Sequence, residues 1–413
     1  MKKNLDQIVI VGAARTPVGA FLGNLKTVKV QDLGVTALKG AVERAGIKME
    51  DIDEVIAGHV VGSPTSSNIG RVVGLDAGVP IEKTGYTVNR LCGSGIQSAV
   101  NAVQVLQTTD KKVIAAGGAE SLSRAPYFLP EEVRYQGFRT GDQQLIDSNT
   151  MIHTGCVGKE FPEIIHMGQT AEKLAQMYDI SREEQDKFAL NSQAKAKKAI
   201  ESGRLAQEIV PVEVKDRKGN VTVVDTDSHP KPDTTMEKLA KLRPAFVKDG
   251  SVTAGNASGL NDGAAFEIFT TADYAKDNGL EVMAKVVDYA ITGCSPDVMG
   301  LGPVESVREI LKRNDMTLED IAVLEINEAF AAQTIACTKE LGNEPGTALY
   351  ERLNPNGGAV ALGHPLGCTG ARIITSICYE FKNRPDIKYA IASACIGGGM
   401  GIAMLFENGY YQG

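Results

Sequence analysis

Short apolar runs rich in β-branched residues alternate with longer amphipathic stretches through the first third of the chain. The apolar runs lie at residues 8–11, 55–57 and 112–116, and a helical stretch lies at 30–45. Strand-length runs separated by helical patterns are typical of βαβ units. The pattern therefore predicts an α/β fold built around a mainly parallel sheet.

The pattern changes between about residues 125 and 260, where Pro, Gly, Asp and polar residues are more frequent. One helix is predicted there, beginning at Ser181 in the capping-box order Ser-Arg-Glu-Glu. The alternation of strands and helices resumes near Glu281. We therefore predict an N-terminal half at 1–127 that is completed by 261–280, an inserted loop domain at 128–260, and a C-terminal half at 281–413.

The two ends of the chain share one plan, although they have little residue identity. A glycine-rich turn at 91–95 is followed by a helical stretch, a charged loop, an apolar run and the glycine pair 117–118. A second turn at 366–370 begins the same succession, which ends at the glycines 397–399. A duplicated α/β unit is the economical interpretation, and it would bring the two turns close together. Chance similarity is the alternative.

Composition and charge narrow the classes of function. The chain has 413 residues, 43% of them hydrophobic and 23% charged, with a net charge of −8 and few aromatics. Without a basic stripe, nucleic acids and anionic membranes are poor candidate partners. No signal peptide and no uninterrupted apolar window of about 18 residues is visible, so we expect a cytoplasmic protein.

The cysteines and histidines show no metal-site pattern. The seven cysteines include no C-x-x-C pair, and the five histidines show no close ligand spacing. A disulfide framework and a structural metal are therefore not expected. The cysteine pattern does not exclude catalysis by a single reactive thiol.

Cys92 lies where an extended stretch gives way to a helical one. The amides and the dipole at the start of that helix are expected to favour its thiolate, and the neighbouring glycines leave room for a bulky thioester. Most single cysteines are small buried hydrophobes, so this position alone leaves a structural role open.

Three further positions carry side chains suited to chemistry. His364 is flanked by glycine and proline, which hold the backbone in a turn. Cys395 ends an apolar run and is followed by glycines, whose amides are candidates for an oxyanion hole. Asn327 follows a strand-like run, where loop residues often carry function. A structural role is the alternative for each.

Five motifs occur in a fixed order along the chain. They are NRLCGSG at 89–95, GNASGLNDGA at 255–264, NEAF at 327–330, GHPLGCTGAR at 363–372 and CIGGGMG at 395–401. In this set and order the chain resembles the thiolase family over essentially its whole length. The resemblance implies a duplicated, five-layered αβαβα fold with a loop domain inserted in its first half.

The resemblance also implies roles for individual residues. Cys92 would take the acyl group from its thioester, His364 would accept the thiol proton, and Cys395 would act as acid or base on the second substrate. One oxyanion hole would use the backbone amides of Cys92 and Gly397, and the other would use His364 with a water held by Asn327. The implied reaction is a ping-pong transfer between acyl-CoA thioesters that needs no cofactor and no metal.

Contacts to CoA are implied at nine positions, and for the apolar ones core packing is the alternative. They are His166, Met167, Lys231, Phe246, Ala254, Ser258, Met299, Ala329 and Phe330. Lys231 stands where the family usually has an arginine against adenine, and lysine keeps the charge but loses the guanidinium stacking. The implied partners are acyl-CoA, CoA and further copies of the chain in a homodimer or homotetramer.

The acyl chain length stays open. Condensation of two acetyl-CoA molecules is the first expectation, since Met167 can shorten an acyl pocket and the HMG segment resembles short-chain enzymes. GHPLGCTGAR and NRLCGSG also resemble degradative 3-ketoacyl-CoA thiolases, and residues 127–166 form a longer segment than in short-chain enzymes. Two rivals are a decarboxylating ketoacyl synthase, which has histidine in place of Cys395, and a non-catalytic lipid carrier of the same fold.

Overall fold

The computed structural model describes residues 8–62, 65–161 and 166–412. Its strands are β1 (Ile8–Arg15), β2 (Gly19–Ala20), β3 (Glu54–Gly58), β4 (Thr84–Val88), β5 (Val113–Ser121), β6 (Tyr127–Phe128), β7 (Ile146–Asp147), β8 (Val212–Lys215), β9 (Val221–Val224), β10 (Asn261–Thr271), β11 (Ala284–Gly293), β12 (Ile321–Ile326), β13 (Tyr389–Ile396) and β14 (Met400–Asn408).

The helices include the predicted stretch at 30–45. They are α1 (Val30–Ala45), α2 (Ile69–Ala77), α3 (Ser94–Thr108), α4 (Glu132–Gln136), α5 (Ser148–Thr154), α6 (Met167–Met177), α7 (Arg182–Glu201), α8 (Met236–Ala240), α9 (Ala272–Asp277), α10 (Gly302–Arg313), α11 (Ala331–Leu341), α12 (Ala359–Leu362) and α13 (Leu366–Asn383). None of the helices in the described part of the chain is both long and apolar enough to cross a membrane.

A ten-stranded sheet runs through the molecule in the order β12-β13-β14-β11-β1-β10-β5-β3-β4, with β2 paired to β10. Its two halves repeat one topology. In the first, β3 and β5 are parallel, and β5, β10 and β1 follow antiparallel to one another. In the second, β12 and β13 are parallel, and β13, β14 and β11 follow antiparallel. The predicted duplication is confirmed by this repeat of strand order and direction.

The expectation of a mainly parallel sheet is wrong. Parallel pairing is confined to β3 with β4, β3 with β5, and β12 with β13 among the described strands. The physical reason lies in the connections that lead into β14 and β10, which set the direction of these two strands. β14 follows β13 through the glycine turn at 397–399, which is long enough only for an antiparallel hairpin. β10 occupies the equivalent position in the first half, and a long segment of the chain separates it from β5.

Helices and sheet halves alternate in five layers, as the resemblance implied. α3 and α13 pack against each other between the two halves of the sheet, where their apolar side chains share one core with β1, β5, β13 and β14. α1 and α2 cover the outer face of the first half, and α10 and α11 cover that of the second. The α3–α13 layer therefore lies at the centre of the molecule, and the helices of both repeats meet there.

The predicted proximity of the two glycine turns is confirmed at the start of these central helices. A Cβ on Gly95 would overlap the backbone nitrogen of Ala371, and a Cβ on Gly370 would overlap that of Ile96. Only glycine permits backbones to approach so closely. The crossing brings the residues just before α3 next to those just before α13.

The segment between β5 and β10 has a different character. Its strands form the two-stranded pairs β6–β7 and β8–β9, and within the described residues it adds no strand to the large sheet. The helix predicted after Ser181 is confirmed as α7. The Ser181 hydroxyl accepts from the Glu184 N–H at 3.2 Å, and the Glu184 carboxylate accepts from the Ser181 N–H at 2.7 Å. The predicted domain boundaries stay a prediction.

Candidate active site

Cys92, His364 and Gly397 line one cavity of about 480 Å³. Cys92 precedes α3 by two residues, His364 precedes α13 by two, and Gly397 follows β13. These positions converge because α3 and α13 cross at their first turns, and β13 ends beside them. Three residues predicted from the sequence, Cys92, His364 and Gly397, thus line the same cavity, although they are far apart in the chain.

The nucleophile candidate is held in a strained backbone. Leu91, directly before Cys92, has a φ of 46°, in the left-handed region that non-glycine residues seldom adopt. Strain of this kind concentrates at functional sites, where the surrounding packing maintains it. This strain was not predictable from the sequence, since leucine has no preference for that region.

Burial raises the pKa of the Cys92 thiol to about 12, and hydrogen bonds from the Gly397 N–H and its own N–H oppose this only in part. The expectation that the helix would favour the thiolate is therefore wrong in its net effect. Desolvation of the sulfur outweighs the amides because the site is enclosed by apolar side chains. A thiol with this pKa needs a base to remove its proton as it attacks. The same two N–H groups both point at the Cys92 sulfur.

His364 is 5% exposed and is held at three points. Its N–H donates to Asn261 Oδ1 at 2.8 Å, its Nδ1 lies 2.6 Å from Thr369 Oγ1, and its Nε2 lies 3.4 Å from Asn327 Nδ2. The Thr369 hydroxyl donates to the Pro365 carbonyl at 3.0 Å, so it accepts from Nδ1–H. This set of bonds favours the tautomer in which Nε2 carries a lone pair, as a base requires.

Cys395 and Asn327 complete the group. Asn327 directly follows β12, as predicted, and is 1% exposed. Cys395 is also 1% exposed and packs in one apolar cluster with Met167, Met299 and Phe330, all of which line the cavity. Burial, and then the charge of an ionised Cys92, raise the pKa of Cys395 well above its usual value. Cys395 is therefore close enough to sense the charge state of Cys92.

Three residues that support this site were missed in the sequence. Thr369 and Asn261 orient His364, and both lie within quoted motifs, so their place in those motifs was the available signal. Glu120 is fully buried in β5, and its carboxylate accepts from the Val60 N–H at 2.9 Å and from the Gly367 N–H at 2.9 Å. The last bond fixes the first turn of α13, next to His364. The only signal for Glu120 in the sequence was the presence of a charged residue inside an apolar strand.

Seven of the nine predicted CoA contacts line the active-site cavity or the space of about 760 Å³ that adjoins it at Ser258, Phe330 and His364. They are His166, Met167, Phe246, Ser258, Met299, Ala329 and Phe330. The other two, Lys231 and Ala254, are exposed and line neither space. The contacts at all nine positions stay a prediction.

Aromatic rings form one wall of this combined space. His166 stacks on Phe246 with ring centroids 4.7 Å apart, and Phe246 meets Phe330 edge to face at 5.8 Å. His166 also caps α6, since its Nδ1 accepts from the Gly168 N–H at 3.0 Å. Such a wall suits a long ligand with an apolar or planar part.

Comparisons with known proteins agree with this geometry. The family model described as "Thiolase, N-terminal domain" matches residues 8–273, and "Thiolase, C-terminal domain" matches residues 280–408. An acetyl-CoA acetyltransferase of Syntrophomonas wolfei is 46% identical over 97% of this chain and 99% of its own length.

Two solved structures extend the comparison. The Bacillus anthracis acetyl-CoA acetyltransferase has a TM-score of 0.92 and 44% identity, covering 98% of this chain and 99% of that one. Human mitochondrial 3-ketoacyl-CoA thiolase in complex with CoA has a TM-score of 0.90 and 41% identity, covering 98% of both chains.

Proposed function

Since the chain belongs to the thiolase family, we propose that it is an acetyl-CoA C-acetyltransferase, which condenses two acetyl-CoA molecules to acetoacetyl-CoA and CoA and also catalyses the reverse. The observation that carries the proposal is the cavity shared by Cys92, His364 and Gly397, with Cys395 packed against it. Identity of 46% to an acetyl-CoA acetyltransferase over nearly the whole chain supports the acetyl substrate.

In the first half-reaction His364 Nε2 takes the proton of the Cys92 thiol as the sulfur attacks the thioester carbonyl. The carbonyl oxygen becomes an oxyanion and accepts from the N–H groups of Cys92 and Gly397. The C–S bond to CoA then breaks, the CoA sulfur takes the proton of the Cys395 thiol, and an acyl group remains on Cys92 while His364 keeps its proton. The raised pKa of Cys92 makes the coupled proton transfer necessary.

In the second half-reaction the Cys395 thiolate, which has given its proton to the departing CoA, removes a proton from the methyl group of a second acetyl-CoA. The resulting enolate oxygen is stabilised by His364 and by a water held on Asn327. The enolate carbon attacks the acyl carbonyl on Cys92, the acyl C–S bond breaks, and the Cys92 thiolate takes its proton back from His364. Negative charge thus forms on two different oxygens, which require two sets of hydrogen-bond donors. Removing one such donor raises the activation barrier by about 3 kcal/mol.

A degradative 3-ketoacyl-CoA thiolase with longer acyl chains is the second candidate. A further space of about 960 Å³ adjoins the active-site cavity at Leu91, Cys156 and Gly397, and its apolar lining includes Phe128 and Met151. A longer acyl chain on Cys92 would extend into that space. Likeness to human mitochondrial 3-ketoacyl-CoA thiolase supports this candidate.

We also propose that the protein is cytoplasmic and that it assembles as a homodimer or homotetramer. The segment after β5 supports assembly, because it exposes large apolar side chains in a short stretch. Tyr127, Tyr135, Phe138 and Leu145 are 64%, 71%, 70% and 66% exposed. Apolar surface of this extent marks an interaction site.

A thiolysis assay over 3-ketoacyl-CoA substrates of increasing length tests the proposal. Activity confined to acetoacetyl-CoA selects the acetyltransferase, and activity that rises with chain length selects the degradative enzyme. Cys92→Ala should abolish both the turnover and the acyl-enzyme mass adduct. Cys294→Ala, a half-buried cysteine that lines none of these spaces, is the control and should retain activity. An active Cys92→Ala variant would overturn the proposed chemistry.

A further inference from the structure

A second, polar cavity of about 480 Å³ lies away from the active-site cavity. It is lined by Lys29, Val30, Gln31, His59, Val61, Thr65, Ser121, Arg124 and Pro126. It shares no residue with the active-site cavity or with the aromatic-walled space beside it. The mechanism uses none of its side chains.

The first turn of α1 opens onto this cavity. Lys29 is the N-cap of this 16-residue helix and makes no side-chain capping bond. Val30 and Gln31, the first two helical residues, also line the cavity. Amides in a first turn have no partner within the helix, and together with the helix dipole they attract negative charge.

A buried imidazole provides an independent second observation. His59 is 6% exposed, and its Nδ1 faces the Ala119 carbonyl at 2.9 Å and Glu120 Oε1 at 3.0 Å. Its Nε2, on the other edge of the ring, is buried and has no hydrogen-bond partner among the described residues. His59 lines the cavity and its Nδ1 is engaged, so Nε2 is the ring nitrogen that remains for a partner. A buried polar atom of this kind calls for a ligand or solvent partner.

Charge around the cavity favours an anion. Lys29 and Arg124 are exposed at its rim, and burial of His59 is outweighed by Glu120, which raises the pKa of the imidazole and so favours its cationic, donating form. Asp32 in the first turn of α1 is exposed to solvent, and the two buried carboxylates near the cavity are already engaged. Glu120 accepts from His59 and from backbone amides, and Asp262 accepts from Ser121 and from the Ser123 N–H.

We propose that this cavity is a binding site for a phosphate-type oxyanion, held by the first-turn amides of α1, His59 Nε2–H, Lys29 and Arg124. The group is either free phosphate or the phosphate of a small monoester, since both present the same tetrahedral acceptor oxygens. The site is separate from the thioester chemistry and does not depend on it.

Calorimetric titration of the full-length protein at constant ionic strength tests the proposal, with inorganic phosphate and glycerol 3-phosphate as the probes. We expect saturable binding of at least one probe, also in the presence of saturating CoA, and the tighter probe identifies the source of the group. The double variant Lys29→Gln/Arg124→Gln changes only exposed side chains and should weaken binding by about tenfold or more, since each charge-assisted bond contributes strongly.

Lys39→Gln, an exposed lysine further along α1, is the matched control and should bind as the wild type does. A His59→Gln variant whose folding is verified by circular dichroism should also bind more weakly. Absence of saturable binding of both probes, unchanged affinity in the double variant, or complete loss of binding when CoA is added would overturn the proposal. The last result would mean that the anion occupies the substrate space instead.

Discussion

At the residue scale, the proposed chemistry depends on a thiol that stays protonated until its base acts. Burial raises the pKa of Cys92 to about 12. His364 is fixed by Thr369 and Asn261 so that Nε2 can accept the proton. A neutral thiol is a weak nucleophile, so its attack on a thioester is coupled to the proton transfer.

The state of Cys92 can be measured by its alkylation. A raised pKa keeps the thiol protonated at neutral pH, so the thiolate fraction should rise about tenfold per pH unit, without a plateau, from pH 7 to 9.5. Iodoacetamide labelling of the Cys92 peptide, followed by mass spectrometry, measures this rate. A short unstructured cysteine peptide is the control, and its rate should level off above its ordinary pKa. A plateau for Cys92 near pH 7 would instead indicate a thiolate–imidazolium pair.

At the scale of elements, the crossing of α3 and α13 sets the geometry of the site. Gly95 and Gly370 let the two helices touch along their backbones, and Cys92 and His364 lie directly before these first turns. Glu120 in β5 adds a bond to the Gly367 N–H at 2.9 Å. The relative position of the nucleophile and the base is therefore a property of two helix termini and one strand.

Gly370→Ala should separate the two helices and impair both stability and activity. Its Cβ would overlap the backbone nitrogen of Ile96, which cannot move independently of α3. We expect a loss of about 1–3 kcal/mol in unfolding free energy, as for other overpacked cores, and a fall in kcat. Thermal unfolding and the thiolysis rate measure these effects.

Gly158→Ala is the matched control for this substitution. A Cβ at Gly158 meets no atom of the described residues within 4 Å, so stability should change by less than about 0.5 kcal/mol. Equal losses of stability and activity in the two variants would show that the overlap at the helix crossing does not cause the effect of Gly370→Ala.

At the scale of the whole molecule, a buried ionic network joins the two halves through the central segment. Arg15 in β1 binds Glu208 at 2.6 Å and Asp227 at 2.7 Å, both from that segment. Arg204 binds Glu208 at 3.0 Å and Glu380 of α13 at 2.7 Å. Burial alone would lower the pKa of Arg15, but the two carboxylates outweigh it and raise that pKa.

Arg15→Met should destabilise the protein by about 3–5 kcal/mol, because it leaves Asp227 and part of Glu208 buried without their cation. Thermal or urea unfolding of the purified variant measures the loss. Arg217→Met, in the exposed turn between β8 and β9, is the control and should be nearly neutral. A neutral Arg15→Met variant would mean that water replaces the guanidinium in this network.

The sequence determined much of the local structure and predicted the reactive groups. The bounds of α1, the start of α7 at Ser181 and the position of Asn327 after β12 follow from periodicity and capping, which act over a few residues. The pairing of the two glycine turns was also predictable, since a duplicated unit repeats its own contacts.

Only the tertiary structure decided the direction of β10 and β14, the tautomer of His364 and the protonation of Cys92. Strand direction depends on where a distant segment returns, and the tautomer depends on Thr369, Pro365 and Asn327 meeting one ring. The pKa of Cys92 depends on how completely the fold removes water from its sulfur. These quantities arise from through-space packing and desolvation, which local sequence patterns do not encode.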